Sequence, residues 1–184
     1  MVTGKKQIDG TWYYFQEDGK LIDGFVKKDG HWYYYDANDK MAKGFVVIKE
    51  HKYFFNSKGW MIAKDVRKVI DVSEWQGKID WKTVKEKAQL DGVIVRCGFG
   101  SNGEDSRFKE NINGLNDAGI PYGVYIYSYA ENENEAANEA KNVIRLLKSC
   151  SAHLTYPIYY DLEANKYTSH LTKSEYTKSV ASFM

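Results

Sequence analysis

Residues 92–100 read GVIVRCGFG, and the fold turns on what this stretch is. An apolar run rich in β-branched residues, with glycines at its exit, predicts a buried strand. On its N-terminal side, Trp81, Val84 and Ala88 fall on one face of a predicted helix that opens at Asp80 as N-cap. On its C-terminal side, Phe108, Ile112 and Leu115 recur at helical spacing, with Gly119 and Pro121 as the stop. Further out, KVIDVSEW (68–75), YGVYIYSYA (122–130) and YPIYYDLE (156–163) predict three more strands, Pro157 being tolerated near a strand start. Residues 133–149 form the clearest helix, with Ala136, Ala140, Val143, Ile144 and Leu147 aligned, acids early and bases late. A last helix opens on a Thr172-to-Glu175 capping box and carries Tyr176, Val180 and Phe183. Strands separated by amphipathic helices predict an α/β domain with a parallel sheet buried on both sides.

In such a sheet, reactive groups sit at the carboxyl ends of the strands. Asp161 and Glu163 fall at one such end, and i, i+2 spacing in a strand sends both to one side, about 7 Å apart at Cα. Asp71 lies near the end of the first strand. Taken singly, Asp71 reads as a loop cap and Asp161 as an acceptor of backbone amides. Three carboxylates at equivalent strand ends read instead as the equipment of glycosidic bond hydrolysis, where one acid must hold a proton for the leaving oxygen. Neighbouring negative charge raises a carboxyl pKa, which casts Glu163 as the raised acid and Asp161 and Asp71 as its charged neighbours.

The first third of the chain is a repeat. Trp12-Tyr13-Tyr14-Phe15 returns as Trp32-Tyr33-Tyr34-Tyr35 and again as Lys52-Tyr53-Phe54-Phe55, a step of 20. Gly24 maps to Gly44 and Phe25 to Phe45. Each unit reads as an aromatic strand, a polar turn such as Gln16-Glu17-Asp18-Gly19, and a second short apolar strand. Hairpins of this size need stacked neighbours, so the expectation for residues 1–66 is a β-hairpin repeat solenoid. Strand alternation sends Trp12 and Tyr14 to one face and Tyr13 and Phe15 to the other.

This pattern resembles the cell-wall-binding, or choline-binding, repeats of bacterial and phage surface proteins and lytic enzymes. The resemblance implies ligand contacts by Trp12, Tyr14, Phe25, Trp32, Tyr34 and Phe45, an aromatic cage holding a quaternary ammonium by cation–π attraction. The pairs Gly24-Phe25 and Gly44-Phe45 stand where Gly-Trp is usual, and Lys52 where Trp is expected. Choline-bearing teichoic acid and a wall polysaccharide stacked on exposed rings both stay open as ligands.

VIDVSEWQGKIDW, PYGVYIYSYA and YYDLE are similar to the first, third and fourth strand motifs of glycoside hydrolase family 25, the Chalaropsis-type lysozymes. The resemblance runs from about residue 68 to the end. It implies an N-acetylmuramidase acting on peptidoglycan without a cofactor or metal. In that family's terms Glu163 is the general acid, Asp161 the carboxylate that orients the substrate N-acetyl group or stabilises the charge it develops, and Asp71 a supporting first-strand carboxylate. Tyr125 and Tyr127 fall at cleft aromatics and Arg96 at a sugar-contacting base. The D-x-x-D-x-D-x-E run of family chitinases is missing, since Tyr156 and Tyr159 stand at its two earlier positions.

The expected organisation is therefore wall-binding repeats at 1–66 and, at 67–184, the first half of a (β/α) barrel. Four strands fall short of the eight a barrel needs, so the domain is expected to be incomplete. The repeat phase aligns Met1-Val2-Thr3-Gly4 with Met41-Ala42-Lys43-Gly44, which predicts further sequence upstream. No signal peptide is visible, yet the expected location is the bacterial cell wall or exterior. A silent surface-binding protein, in which the repeats alone still work, is the alternative. Other classes are excluded more simply. Residues 1–67 carry 12 basic and 9 acidic side chains and the remainder 14 and 16, so neither part has the basic excess of a nucleic-acid binder. No apolar run approaches the ~20 residues of a membrane span. Cys97 and Cys150 lack metal-ligand spacing and read as free thiols rather than a disulfide.

Overall fold

The computed structural model describes residues 2–184 except Asp9, Gly10, Gln16, Leu21, Ile22, Asp23 and Asp39; for Lys5, Thr11, Trp12 and Tyr14 it describes the backbone alone. The chain forms two compact units, Met1–Arg67 and Lys68–Met184.

The first unit is built of antiparallel hairpins. Strand β1 (Gly4–Ile8) pairs with β2 (Thr11–Phe15), β3 (Gly24–Lys28) with β4 (His31–Tyr35), and β5 (Gly44–Ile48) with β6 (His51–Phe55), to which β7 (Met61–Lys64) is added. The 20-residue period persists in the register: Gly4, Gly24 and Gly44 lie opposite Phe15, Tyr35 and Phe55. The hairpins are phased differently from the sequence expectation. Each aromatic strand pairs with the strand before it, and among the described residues pairing with the segment that follows is confined to β6 with β7 and a Tyr35–Met41 bridge. The reason is the two-residue turn. Asp29 and Gly30 both take positive φ, 48° and 79°, which matches the twist of a tight hairpin. The longer polar segments join hairpins and are closed locally, Asp36 Oδ1 accepting from the amides of Asn38 and Lys40, and Asn56 Oδ1 from those of Lys58 and Trp60. In the third hairpin Lys49 and Glu50 occupy the positive-φ positions, at 46° and 70°, where L side chains are strained. Ile48, Tyr53 and Phe55 are buried together against Tyr34, Ala42, Val46 and Met61.

The second unit holds β8 (Val69–Val72), a 3-10 turn (Glu74–Gln76), α1 (Trp81–Ala88), β9 (Gly92–Phe99), α2 (Phe108–Ala118), β10 (Tyr122–Tyr127), α3 (Glu133–Lys148), β11 (Ile158–Asp161) and α4 (Lys173–Phe183). The four strands form one parallel sheet in the order β11-β10-β9-β8. Asp80 caps α1 by accepting from the Thr83 amide, and Thr172 and Glu175 form the expected capping box on α4. Gly119 ends α2 in the left-handed region, as its position predicts.

Val72, Val93, Val95, Tyr122, Val124 and Ile126 alternate into a single core with Trp81, Phe108, Ile112, Leu115, Val143 and Leu146, and Phe183 packs at its edge. All four helices thus meet one face of the sheet. The expectation of a sheet buried on both sides is corrected here: the strand order never reverses, so successive right-handed crossovers deliver every helix to the same side. The opposite face carries the alternate residues, Asp71, Ile94, Arg96, Tyr125, Tyr127, Tyr159 and Asp161.

Two helices are turned from their expected faces. In α3 the buried residues are Ala136, Glu139, Asn142, Val143 and Leu146, while Ile144 is exposed. In α4 Ser179 is buried and Val180 exposed. The register between β9 and β10 shifts after Tyr125: Arg96 faces Tyr125 but Gly98 faces Ile126, which leaves Cys97 as the extra residue of a bulge. Both cysteines are free, Cys97 buried and Cys150 half-buried. Burial pushes the Cys97 thiol up to about 12. No helix among the described residues is long and apolar enough to cross a membrane.

Candidate active site

At the carboxyl edge of the parallel sheet, Asp71, Ile94, Tyr125, Tyr159, Tyr160, Asp161 and Glu163 line a cleft of about 420 Å³. Asp71 reaches it from β8, where it lies opposite Ile94; Tyr125 comes from β10, opposite Tyr159 of β11. Asp161 ends β11, and its carbonyl accepts from the Ser128 amide at 2.9 Å. Glu163 lies beyond the strand, so the i, i+2 strand argument stops at Asp161. The loop holds Glu163 by other means. Its carbonyl accepts from Thr168 Oγ1 at 2.5 Å and from Asn165 Nδ2 at 3.3 Å, and Thr168 is fully buried.

The surroundings shift Asp161 and Tyr125 in the cleft. Burial raises the Asp161 pKa, the charges of Glu163 and Asp71 raise it further, and Arg96 pulls the other way. Partial burial at the strand end makes Asp161 a weaker acid than a solvated aspartate. Tyr125 is pushed up to about 12, by burial first, with Arg96 opposing and Asp71 and Asp161 adding to the rise. Its phenol therefore stays protonated beside the carboxyl groups and is available as a hydrogen-bond donor.

Arg96 and Tyr127 stand apart from this lining. Arg96 is 11% exposed and commits Nε to Asp105 Oδ2 at 2.8 Å and Nη2 to Glu74 Oε1 at 2.7 Å. Asp105, whose side chain is fully buried, also accepts from the Glu74 amide. Glu74 accepts from Ser106 Oγ at 2.7 Å; this hydroxyl first, and Arg96 later, hold its carboxyl below the usual range against a smaller effect of burial. Arg96 thus ties the turn after β8 to the loop after β9 while lending positive charge to the cleft. Tyr127 packs edge-on against Tyr129 at 5.5 Å. Glu74 and Asp105 were missed in the sequence because nothing in their spacing links them to Arg96. Trp75, on the same turn, is 81% exposed, and its ring is free to stack on an apolar or sugar surface.

In the repeats, Phe25 is 40% exposed and packs on Tyr34 at 5.0 Å and on Tyr53 at 5.1 Å between ring centres. Phe45, 50% exposed, packs on Phe54 at 4.9 Å. Trp32 is exposed and carries Lys27 Nζ over its ring at 5.8 Å. The side chains of Trp12 and Tyr14 lie outside the described residues. Trp60, which no repeat alignment singled out, stacks on His31 at 3.6 Å.

Comparison with known proteins follows the two units. The model for Glycosyl hydrolases family 25 matches residues 70–184, and that for the Choline-binding repeat matches residues 2–44. The modular autolysin LytC from Streptococcus pneumoniae, solved alone and in complex with a synthetic peptidoglycan ligand, is 34% identical and covers 99% of this chain, with TM-scores of 0.69 and 0.70. The match takes up 49% of LytC, so the chain spans about half the length of that relative. The catalytic domain of endolysin ply40 from bacteriophage P40 of Listeria monocytogenes covers 64% of this chain at 26% identity, with a TM-score of 0.53 over 58% of its own length. Lysozyme M1 of Streptomyces globisporus is 39% identical over 59 residues, 32% of this chain and 20% of that protein. With the strand-end carboxylates in one cleft and the family match running from β8 to the end of α4, this chain belongs to glycosyl hydrolases family 25.

Proposed function

We propose that the chain acts on peptidoglycan as an N-acetylmuramidase, cleaving the glycosidic bond after N-acetylmuramic acid, with its repeats as the wall anchor. The observation that carries this reading is the convergence of Asp71, Asp161 and Glu163 on one cleft beside Tyr125. Burial first, then the charges of Glu163 and Asp71, raise the affinity of Asp161 for a proton. Glycosidic cleavage needs one carboxyl group to give a proton to the leaving oxygen and a second to answer the charge on the sugar.

Glu163, exposed past the end of β11, is the donor to that oxygen in this reading. Asp161, more buried, orients the N-acetyl group and answers the positive charge that develops on the sugar. Asp71 supports the same centre from β8, and Tyr125 offers a phenolic hydrogen to the substrate. Arg96 acts by its charge rather than by contact. The four parallel strands are read as the first half of a (β/α) barrel, and the stacked hairpins of residues 1–66 as a solenoid. Exposed Phe25, Trp32 and Phe45, with Tyr34 packed on Phe25, suit either a choline headgroup or a wall polysaccharide. The anchor raises the effective concentration of the acid cleft on an insoluble substrate, which places the protein at the bacterial cell wall.

The test is to incubate purified peptidoglycan with the protein and identify the new reducing ends. N-acetylmuramic acid ends are expected, and Glu163→Gln is expected to abolish them. N-acetylglucosamine ends, or undiminished release by the Gln variant, would show the assignment to be wrong. One observation favours a second reading, a wall-binding protein without catalysis. The two edge strands, β8 and β11, expose Val69, Ile70, Ile158 and Tyr159, so apolar surface at both edges of the sheet is uncovered among the described residues. Wall binding with no release of reducing ends would support that reading.

A further inference from the structure

The interior of the α/β unit contains a carboxylate that the chemistry above does not use. Glu139 of α3 is 1% exposed. Its Oε2 accepts from Ser128 Oγ at 2.7 Å and from the Tyr160 hydroxyl at 2.8 Å, and its Oε1 accepts from the Tyr129 amide at 2.8 Å. All three donors are neutral, so hydrogen bonds alone hold the carboxyl group. What it gains is geometry. Two donors come from consecutive residues just past β10, and the third from the residue before Asp161 in β11. One side chain therefore fastens the ends of the two strands to each other.

The bonds continue to both acids. Ser128 donates its amide to the Asp161 carbonyl at 2.9 Å, so the Asp161 peptide is held through Tyr160 on one side and Ser128 on the other. The Ser128 carbonyl accepts from Asn165 Nδ2 at 3.1 Å, and the same amide group reaches the Glu163 carbonyl. Tyr160 stacks on Phe183 with centres 4.1 Å apart and planes 12° from parallel, which fixes the ring and leaves its hydroxyl as the polar handle.

We propose that Glu139 is a positioning residue: it acts through Ser128 and Tyr160 to set where the Asp161 and Glu163 carboxyl groups stand in the cleft. The proposal builds on the acid pair named under the proposed function, but its test does not depend on hydrolysis. Carboxyl titration of Asp161 is followed by carbon NMR in the whole chain, with Asp161→Asn giving the assignment. In Glu139→Ala the loosened strand end lets Asp161 turn toward water, away from Glu163 and Asp71, and its midpoint falls toward the ordinary aspartate value of about 3.9. Tyr160→Phe keeps the stack on Phe183, removes one link, and gives a smaller fall in the same direction. Glu139→Gln keeps an oxygen for the Tyr129 amide, while both hydroxyls can rotate to accept from its NH₂ group, so its midpoint stays near that of the parent. A merely structural Glu139 lowers the melting temperature and leaves the Asp161 midpoint where it was, and that result in either folded variant overturns the proposal. If Glu139→Ala does not fold, Tyr160→Phe decides alone. A wall-cleavage assay that fails leaves this readout intact, and an unmoved midpoint leaves the hydrolase reading intact.

Discussion

The two units bury apolar surface in opposite ways. In the repeats, Phe25, Trp32, Phe45 and Val47 are 40%, 41%, 50% and 58% exposed. In the α/β unit, Val93, Val95, Val124 and Ile126 on the central strands are fully buried. The first unit leaves rings at the surface, where a ligand can reach them, and relies on turn chemistry for its shape. The second gathers its apolar groups into one core and leaves charge at one edge of the sheet. Substitutions should therefore be tolerated in the first and punished in the second.

The largest effect tests that contrast directly. Phe108→Ala, in the α/β core, should destabilise by about 3–5 kcal/mol in urea denaturation of the whole chain. A loss under 1 kcal/mol would mean that the core is looser than its burial indicates. Next comes the buried pair. Asp105→Ala leaves Arg96 Nε and the Glu74 amide without their acceptor while the Arg96–Glu74 pair remains, and should cost about 2 kcal/mol. The same truncation at an exposed ion pair such as Lys20–Asp18 should be close to neutral. In the repeats the sign reverses. Replacing Lys49 with Asn and Glu50 with Gly relieves two positive-φ residues and should stabilise the unit by about 1 kcal/mol. Phe45→Ala, half-exposed, should cost no more than about 1 kcal/mol while weakening retention on isolated cell walls. An unchanged wall affinity would remove Phe45 from the ligand surface.

The smallest effect is one of pH. The folded pKa of Asp161 is raised, so folding tightens its hold on a proton. Its stabilising contribution is complete below the ordinary aspartate value of about 3.9 and is lost as pH rises through the raised folded value. Asp161→Asn should therefore raise the melting temperature at neutral pH and have no effect near pH 3. A variant less stable than the parent at pH 7 would contradict the direction.

Local signals were the legible ones. Asp80, Gly119 and the Thr172–Glu175 box each state a helix end within a few residues, and the structure places all three there. Asp71, Asp161 and Glu163 were legible as strand-end acids because an apolar run stops at them. Long-range pairing was not. Glu139 and Asn142 look like the polar face of α3, yet they turn inward because Ser128, Tyr129, Tyr160 and the Gly100 and Gly103 carbonyls offer partners from distant segments. That rotation is also why Ile144 ends up outside. The hairpin phase was missed for a related reason: period and apolar pattern are the same for either pairing, and the tight Asp29-Gly30 turn decides between them.

The single extra residue in β9 has a consequence for how this gene can vary. Past Cys97 the side chains change sides: Gly98 falls on the helix side, where a Cβ would strike the Gly103 carbonyl and Leu146, and Phe99 comes level with Tyr127. A loss of one codon here would remove only the buried Cys97 and still reverse Phe99, draw the next loop back by a residue, and pull Asp105 off the Arg96 guanidinium. In-frame deletions should be far rarer among functional descendants at 97 than in the exposed turn at Ser101-Asn102, although both sites lie within five positions of one another.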